Sequence, residues 1–115
     1  MKIKKLKFNW LNIQKLPDDS HGIYSIWSRT TCIYIGKAQN QSLKKRLTQH
    51  YSRCHNEKLK AWINSSHQLW FGVEPVTNIE SIDAKERNRI KKYAPLTNEL
   101  LRKRENQYGT NNTSI

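Results

Sequence analysis

Two short segments rich in β-branched and aromatic residues, joined by a polar loop, constrain this chain more than anything else in it. They are Gly22-Ile23-Tyr24-Ser25-Ile26-Trp27 and Ile33-Tyr34-Ile35-Gly36-Lys37. Such residues favour strands, and Ser28-Arg29-Thr30-Thr31 between them has the polarity and length of a hairpin loop. An antiparallel hairpin with one tyrosine on each strand follows. Side chains alternate faces along a strand, so loop length decides whether the tyrosines can cooperate. A three-residue loop, Ser28 to Thr30, sets Tyr24 directly opposite Tyr34 on one face; a four-residue loop sends them to opposite faces. The first register offers two phenols to one ligand. The second makes them ordinary sheet residues.

Charge narrows the ligand. Lysine and arginine number 21 against nine acids, a formal net charge of +12 and a pI near 10.0, the footprint of a nucleic-acid binder. Those cations run from Lys2 to Arg104 and not along one amphipathic helix, which excludes membrane-surface binding of the usual kind. Apolar runs are too short for a transmembrane span, and lysines interrupt every apolar pair near Met1, so no secretory signal is expected. Cys32 and Cys54 form no C-x-x-C pair, which fits a reducing, cytoplasmic setting. His50, Cys54 and His55 cluster, but lack the fourth ligand of a structural zinc site. At 115 residues and 36% apolar, the chain has room for one domain with a modest core. Residues 1–100 are assigned to it, with 1–16 as an N-terminal strand or extension and 101–115 as a charged, mobile tail.

Met1 to Phe8 alternates loosely among lysines and suits an edge strand. Trp10, Leu11, Ile13 and Leu16 are expected to pack down before the turn at Pro17-Asp18-Asp19-Ser20. Ser42 caps a helix from Leu43 to about Ser52, whose stripe is Leu43, Leu47 and Tyr51, with Arg46 and His50 along its border. Asn56 caps a short helix carrying Leu59, Trp62 and Ile63; Gln68 to Val73 reads as a third strand. A last helix from Asn78 or Ser81 to Tyr93 has the stripe Ile79, Ile82, Ile90, Tyr93, with Glu86 in its middle. A carboxylate facing a core must be paired or hold a metal; an arginine partner and a bound cation are both open. Asp83, in the first turn, is accounted for by the helix dipole. Trp10, Trp27, Trp62 and Trp70 are expected in the core, and Leu100 and Leu101 to add some packing.

Gly22-Ile23-Tyr24, Tyr34-Ile35-Gly36-Lys37, Arg46 with His50, and the run Ala84-x-Glu86-x-x-x-Ile90-x-x-Tyr93-x-Pro95-x-x-Asn98 together resemble the GIY-YIG nuclease family. The resemblance covers about Leu16 to Asn98. It implies an α+β fold, a small three-stranded, mainly antiparallel sheet flanked by helices. It implies that Tyr24 is the general base or orients the attacking water, and that Tyr34 hydrogen-bonds in the same site. Arg46 would neutralise the scissile phosphate, Lys37 would support the site, and Glu86 would hold one Mg²⁺ or Mn²⁺ ion. His50 would act as relay or phosphate contact, and Asn98 would fix local structure or touch phosphate. Where some members carry a further histidine, this chain has an apolar residue near Leu59.

Phosphodiester hydrolysis needs an in-line nucleophile and stabilisation of charge on the equatorial and leaving oxygens. One well-placed carboxylate suits a single Mg²⁺ completed by water and phosphate. A phenol with a reference pKa of about 10 then needs cationic neighbours, Lys37 and Arg46, to act near neutrality. The expectation is a metal-dependent endonuclease acting on DNA, with RNA open, its specificity coming from DNA structure, self-association or a partner protein. The alternative is a non-catalytic nucleic-acid-binding domain of the same fold, which leaves Glu86 unexplained.

Overall fold

The computed structural model describes residues 4–98. The elements run β1 (Lys5–Lys7), α1 (Trp10–Gln14), β2 (Gly22–Ser28), β3 (Thr31–Ala38), α2 (Leu43–Ser52), α3 (Glu57–Ile63), β4 (Trp70–Pro75), a 3₁₀ turn (Ile79–Ser81) and α4 (Ile82–Tyr93). The fold is α+β. Its sheet has four strands in the order β1-β4-β2-β3, each neighbour antiparallel. The resemblance implied three strands; the lysine-rich N-terminal segment, expected as an edge strand, supplies the fourth by pairing Leu6 with Phe71 while Lys5 and Lys7 stay exposed. That is how a charged edge strand stays soluble.

The hairpin register departs from both expected alternatives. The loop is two residues, Arg29-Thr30 between the Ser28–Thr31 pair, with Arg29 at a φ of +50°. Continued regularly, that loop would send Tyr24 and Tyr34 to opposite faces. A bulge prevents it. Trp27 pairs with Cys32 but Ile26 pairs with Tyr34, so Ile33 is an extra residue. One inserted residue reverses the alternation beyond it. Tyr24 therefore pairs with Gly36, and Tyr34 is its diagonal neighbour on the same face, ring centroids 6.0 Å apart.

Helices α1–α3 cover the tyrosine face, where Ile13, Leu43, Leu47 and Leu59 pack with Ile26, Ile33 and Phe71. On the other face, α4 packs Ile82, Ile90 and Tyr93 onto Ile23, Trp27 and Ile35. A bidentate pair, Arg89 Nε and Nη2 to Glu74 Oε1 and Oε2 at 2.8 and 2.7 Å, ties α4 to β4. The expected caps form: Lys45 N–H donates to Ser42 Oγ (3.0 Å) and Leu59 N–H to Asn56 Oδ1 (3.0 Å). After α4, Ala94 takes the left-handed conformation, and the chain runs along the outer edge of β3. There Leu96 and Thr97 N–H donate to the carbonyls of Cys32 and Ile33, blunting an open edge.

Several packing expectations are corrected. Trp10 and Leu11 are 48% and 73% exposed, because a helix of five residues turns only Ile13 inward. Trp62 and Trp70 are half-buried, and Trp27 is the tryptophan fully in the core. Tyr51 is 41% exposed, sitting beside Trp10 and Phe8 at the rim, while His50 takes the buried place expected of it. Ile79, in the 3₁₀ turn, is also exposed. Leu100, Leu101 and the tail 101–115 lie outside the described residues. Among the described residues, no helix is long and apolar enough to cross a membrane.

Candidate active site

Gly36 is the hinge of the site. Lying opposite Tyr24 on the sheet, it has no side chain, and the Tyr24 ring occupies the vacant space: a Cβ there would overlap the Tyr24 hydroxyl and come within 2.9 Å of the Tyr34 ring. Gly22, at φ +152°, likewise has no room for a side chain against Glu74 and Val76. Gly36→Ala should therefore displace both phenols. It is expected to destabilise the fold by about 1–3 kcal/mol, read from urea unfolding, and to cut any activity of the site far more than that stability loss explains.

On the same face, α2 enters the sheet through Leu43 and Leu47 and so brings His50 and Arg46 to the tyrosines. Tyr24 Oη lies 2.6 Å from His50 Nε2, both side chains buried, at 1% and 4% exposed. His50 Nδ1 lies 3.5 Å from Cys54 Sγ, and that thiol reaches the carbonyl of Asn56 at 3.6 Å. Sequence reasoning noticed the His50/Cys54 proximity only as a failed zinc motif. Arg46 Nη1 donates to Gln49 Oε1 at 3.1 Å. It also shares with Lys37 and the loop Gln39–Gln41 a cleft of about 260 Å³.

Lys37 and Glu86 belong to the opposite face, covered by α4. Lys37 is ion-paired with Asp83, a partner that the dipole account of Asp83 missed although it stands one turn from Glu86. Glu86 itself is half-buried and has no hydrogen bond or ion pair among the described residues. The arginine partner left open by the sequence is not there, because Arg89 is committed to Glu74. Asn98 spends its whole amide on β3: Ile35 N–H donates to Oδ1 at 2.9 Å, and Nδ2 donates to the Ile35 carbonyl at 2.7 Å. Of its two expected roles, the local structural one is observed. Glu86 is near enough to Tyr34 and to Lys37 to disturb the ionisation of both.

The fold has counterparts. No family model matches the chain. UvrABC system protein C of Fusobacterium nucleatum subsp. nucleatum is 38% identical over 87 residues, covering 73% of this chain and 14% of that protein. The GIY-YIG N-terminal endonuclease domain of UvrC from Thermotoga maritima, solved with magnesium as its catalytic divalent cation, superposes with a TM-score of 0.59 and 26% identity over 78% of this chain and 99% of that one. A tyrosine-to-phenylalanine variant of that domain, also cation-bound, gives 0.58 and 27%, over 76% of this chain and 91% of that one. This chain has the fold of the GIY-YIG nuclease domain and carries its motif residues. It spans about one-seventh of the length of the curated relative that it matches.

The electrostatics of the GIY-YIG site correct one expectation. Burial, reinforced by Tyr34, pushes the Tyr24 phenol well above its ordinary pKa, and Arg46 opposes this without prevailing. Burial also raises Tyr34, where Tyr24 and Arg46 pull down and Glu86 adds to the rise. Cationic neighbours were expected to make Tyr24 more acidic; desolvation in a packed sheet face outweighs them, and Lys37 is turned to Asp83. Both phenols are thus neutral near pH 7. The Glu86 carboxyl is also raised, first by burial, with Lys37 pulling it down and Asp83 adding to the rise.

His50 is held down to about 4, mainly by burial and then by Arg46 and His55, against 6.5 ordinarily. It is a neutral acceptor at pH 7. Between pH 6.5 and about 4 the unfolded chain takes up a proton that folded His50 refuses, so stability falls as the pH drops through that window. The loss approaches roughly 3 kcal/mol. Urea midpoints at pH 7 and pH 4.5 should show it, and His50→Gln should flatten the difference. Glu86 works in the opposite sense in acid, which makes the comparison with His50→Gln necessary.

Proposed function

We propose that this GIY-YIG domain is a divalent-metal-dependent endonuclease that hydrolyses DNA phosphodiester bonds through a site holding one Mg²⁺ or Mn²⁺ ion. The observation that carries this is Glu86: a half-buried carboxylate without a partner among the described residues, beside Tyr34 and Lys37. Burial there outweighs the pull of Lys37 and Arg87, which leaves a net cost; one hard cation completed by water and phosphate oxygens offsets it. That ion, when bound, supplies charge neutralisation at the phosphate and at the leaving oxygen. The net charge of +12 suits a polyanionic substrate, and Arg46, facing the cleft that it shares with Lys37, is placed to pair with the scissile phosphate.

The proton path follows from burial. Tyr24 is enclosed by Gly36, Tyr34 and His50, so water reaches it past the less buried Tyr34. As water oxygen bonds to phosphorus, its proton passes to Tyr34 Oη, that of Tyr34 to Tyr24 Oη, and that of Tyr24 to His50 Nε2. The phosphorus–oxygen bond opposite the incoming water breaks, and the leaving oxygen takes a proton from solvent to depart as the alcohol. Tyr24 keeps the base's role at one remove, and His50 is the relay's end. Phosphate bound at Arg46 would cancel one of the charges that hold the His50 pKa down, making the acceptor stronger when substrate is present. Asn98 acts by fixing the β3 edge. The two free thiols fit a cytoplasmic protein. A domain this small leaves substrate choice to DNA structure, self-association or a partner.

The test is incubation of the protein with supercoiled plasmid at low salt, with Mg²⁺, with Mn²⁺ and with chelator. Metal-dependent nicking or linearisation is expected. Salt-sensitive binding without cleavage under any divalent ion would leave a binding domain in place of an enzyme.

A further inference from the structure

We infer that Cys54 is a positioning residue: its sulfur accepts the Nδ1–H of His50 and thereby fixes the tautomer in which Nε2 is free to take the proton of Tyr24. This rests on the nuclease reading for its consequence, but not for its geometry.

The inference comes from placing each proton once. Tyr24 Oη and His50 Nε2 are 2.6 Å apart in a buried pocket. A phenol is a much stronger acid than the N–H of a neutral imidazole, and an imidazole nitrogen is the better base, so Tyr24 donates and Nε2 accepts. A neutral imidazole carries one proton, which must then be on Nδ1. There the acceptor in reach is Cys54 Sγ at 3.5 Å. The thiol's own hydrogen goes to the Asn56 carbonyl at 3.6 Å, which leaves the sulfur lone pairs facing the ring. Asn56 is held in turn, its Oδ1 capping α3 and its Nδ2 donating to the Thr97 carbonyl at 3.3 Å. Burial, the largest influence on Cys54, raises its pKa, so sulfur stays a thiol that can play both parts.

The same hold serves the charged state. When Tyr24 passes its proton to Nε2, the imidazolium has N–H groups on both nitrogens, one bonded to the Tyr24 oxygen and one to Cys54 sulfur. No buried N–H is orphaned by the transfer. A histidine orienter of this kind is usually a carboxylate or carbonyl; a neutral thiol orients the ring without raising its basicity as an anion would. That keeps His50 uncharged until substrate binds.

The experiment reads the tautomer directly. Imidazole ¹⁵N shifts, with His50 assigned by its loss in His50→Gln, should show a protonated Nδ1 and a bare Nε2 in the wild-type protein at pH 7. Cys54→Ala should shift that resonance set toward the other tautomer and lower kcat on plasmid about tenfold with KM unmoved. Cys54→Ser, which keeps an acceptor, should restore both. A wild-type His50 protonated on Nε2 overturns the inference, as does an unchanged tautomer and kcat in Cys54→Ala. With His50 assigned also through correlations from its ring to its own backbone, the wild-type spectrum decides even where the variants fail to fold. A protein that shows the expected tautomers and the Cys54→Ala shift yet cuts no DNA would sink the nuclease reading and leave Cys54's hold on the ring standing.

Discussion

Glu86→Gln is expected to lower plasmid cleavage by on the order of 10²–10³ or more, while the folded protein becomes no less stable. The reason is the pattern of partners around it. Asp83 has Lys37 and Glu74 has Arg89, but the half-buried Glu86 carboxylate has neither an ion pair nor a hydrogen bond among the described residues. Removing a charge that pays for no contact relieves desolvation, so the urea midpoint should hold or rise. A structural carboxylate predicts the reverse, because breaking a buried pair costs about 3–5 kcal/mol. Calorimetric titration with Mg²⁺ or Mn²⁺ adds an arm independent of turnover: heat of binding in the wild type, none in Glu86→Gln. Loss of stability with intact metal binding would refute the assignment.

Tyr24→Phe carries the second-largest effect. It deletes one oxygen, and with it the sole hydrogen bond seen at His50 Nε2 among the described residues. Cleavage should fall by roughly 10²–10⁴, the usual worth of a positioned proton acceptor, with DNA affinity unchanged because Arg46 and the basic surface remain. Stability should drop by about 1–3 kcal/mol, the cost of an unsatisfied buried nitrogen. Tyr34→Phe should match it in activity and cost less stability, since Tyr34 is less buried. Single-turnover cleavage with paired filter-binding measurements separates chemistry from binding. Equal wild-type rates for both variants would remove the phenols from the proton path.

Much of this was legible in the residues. The helix caps at Ser42 and Asn56, the extent of α2 and the helix stop at Ala94-Pro95 rest on local chemistry, which a linear sequence displays. The conflict at Glu86 was legible for a similar reason: a charge at core-facing helical spacing is visible without coordinates. What stayed hidden was relational. Nothing in Trp10 or Leu11 says that a helix of five residues will spend its one buried face on Ile13. Nor could the sequence assign Glu86 a partner, since that depended on Arg89 and Lys37 choosing Glu74 and Asp83.

By itself, then, the sequence determined the hairpin, helices α2 to α4 and the candidate residues of the site, because propensity, capping and spacing act over a few residues. The tertiary structure decided whether those residues could meet. Both phenols share a face only because Ile33 bulges out of the ladder after a two-residue loop. Segment 96–98, more than sixty residues further along, bonds the β3 edge at that bulge through Thr97 on the Ile33 carbonyl and Asn98 on Ile35. Strand faces alternate with every residue, so a single insertion reverses the side on which everything beyond it lies.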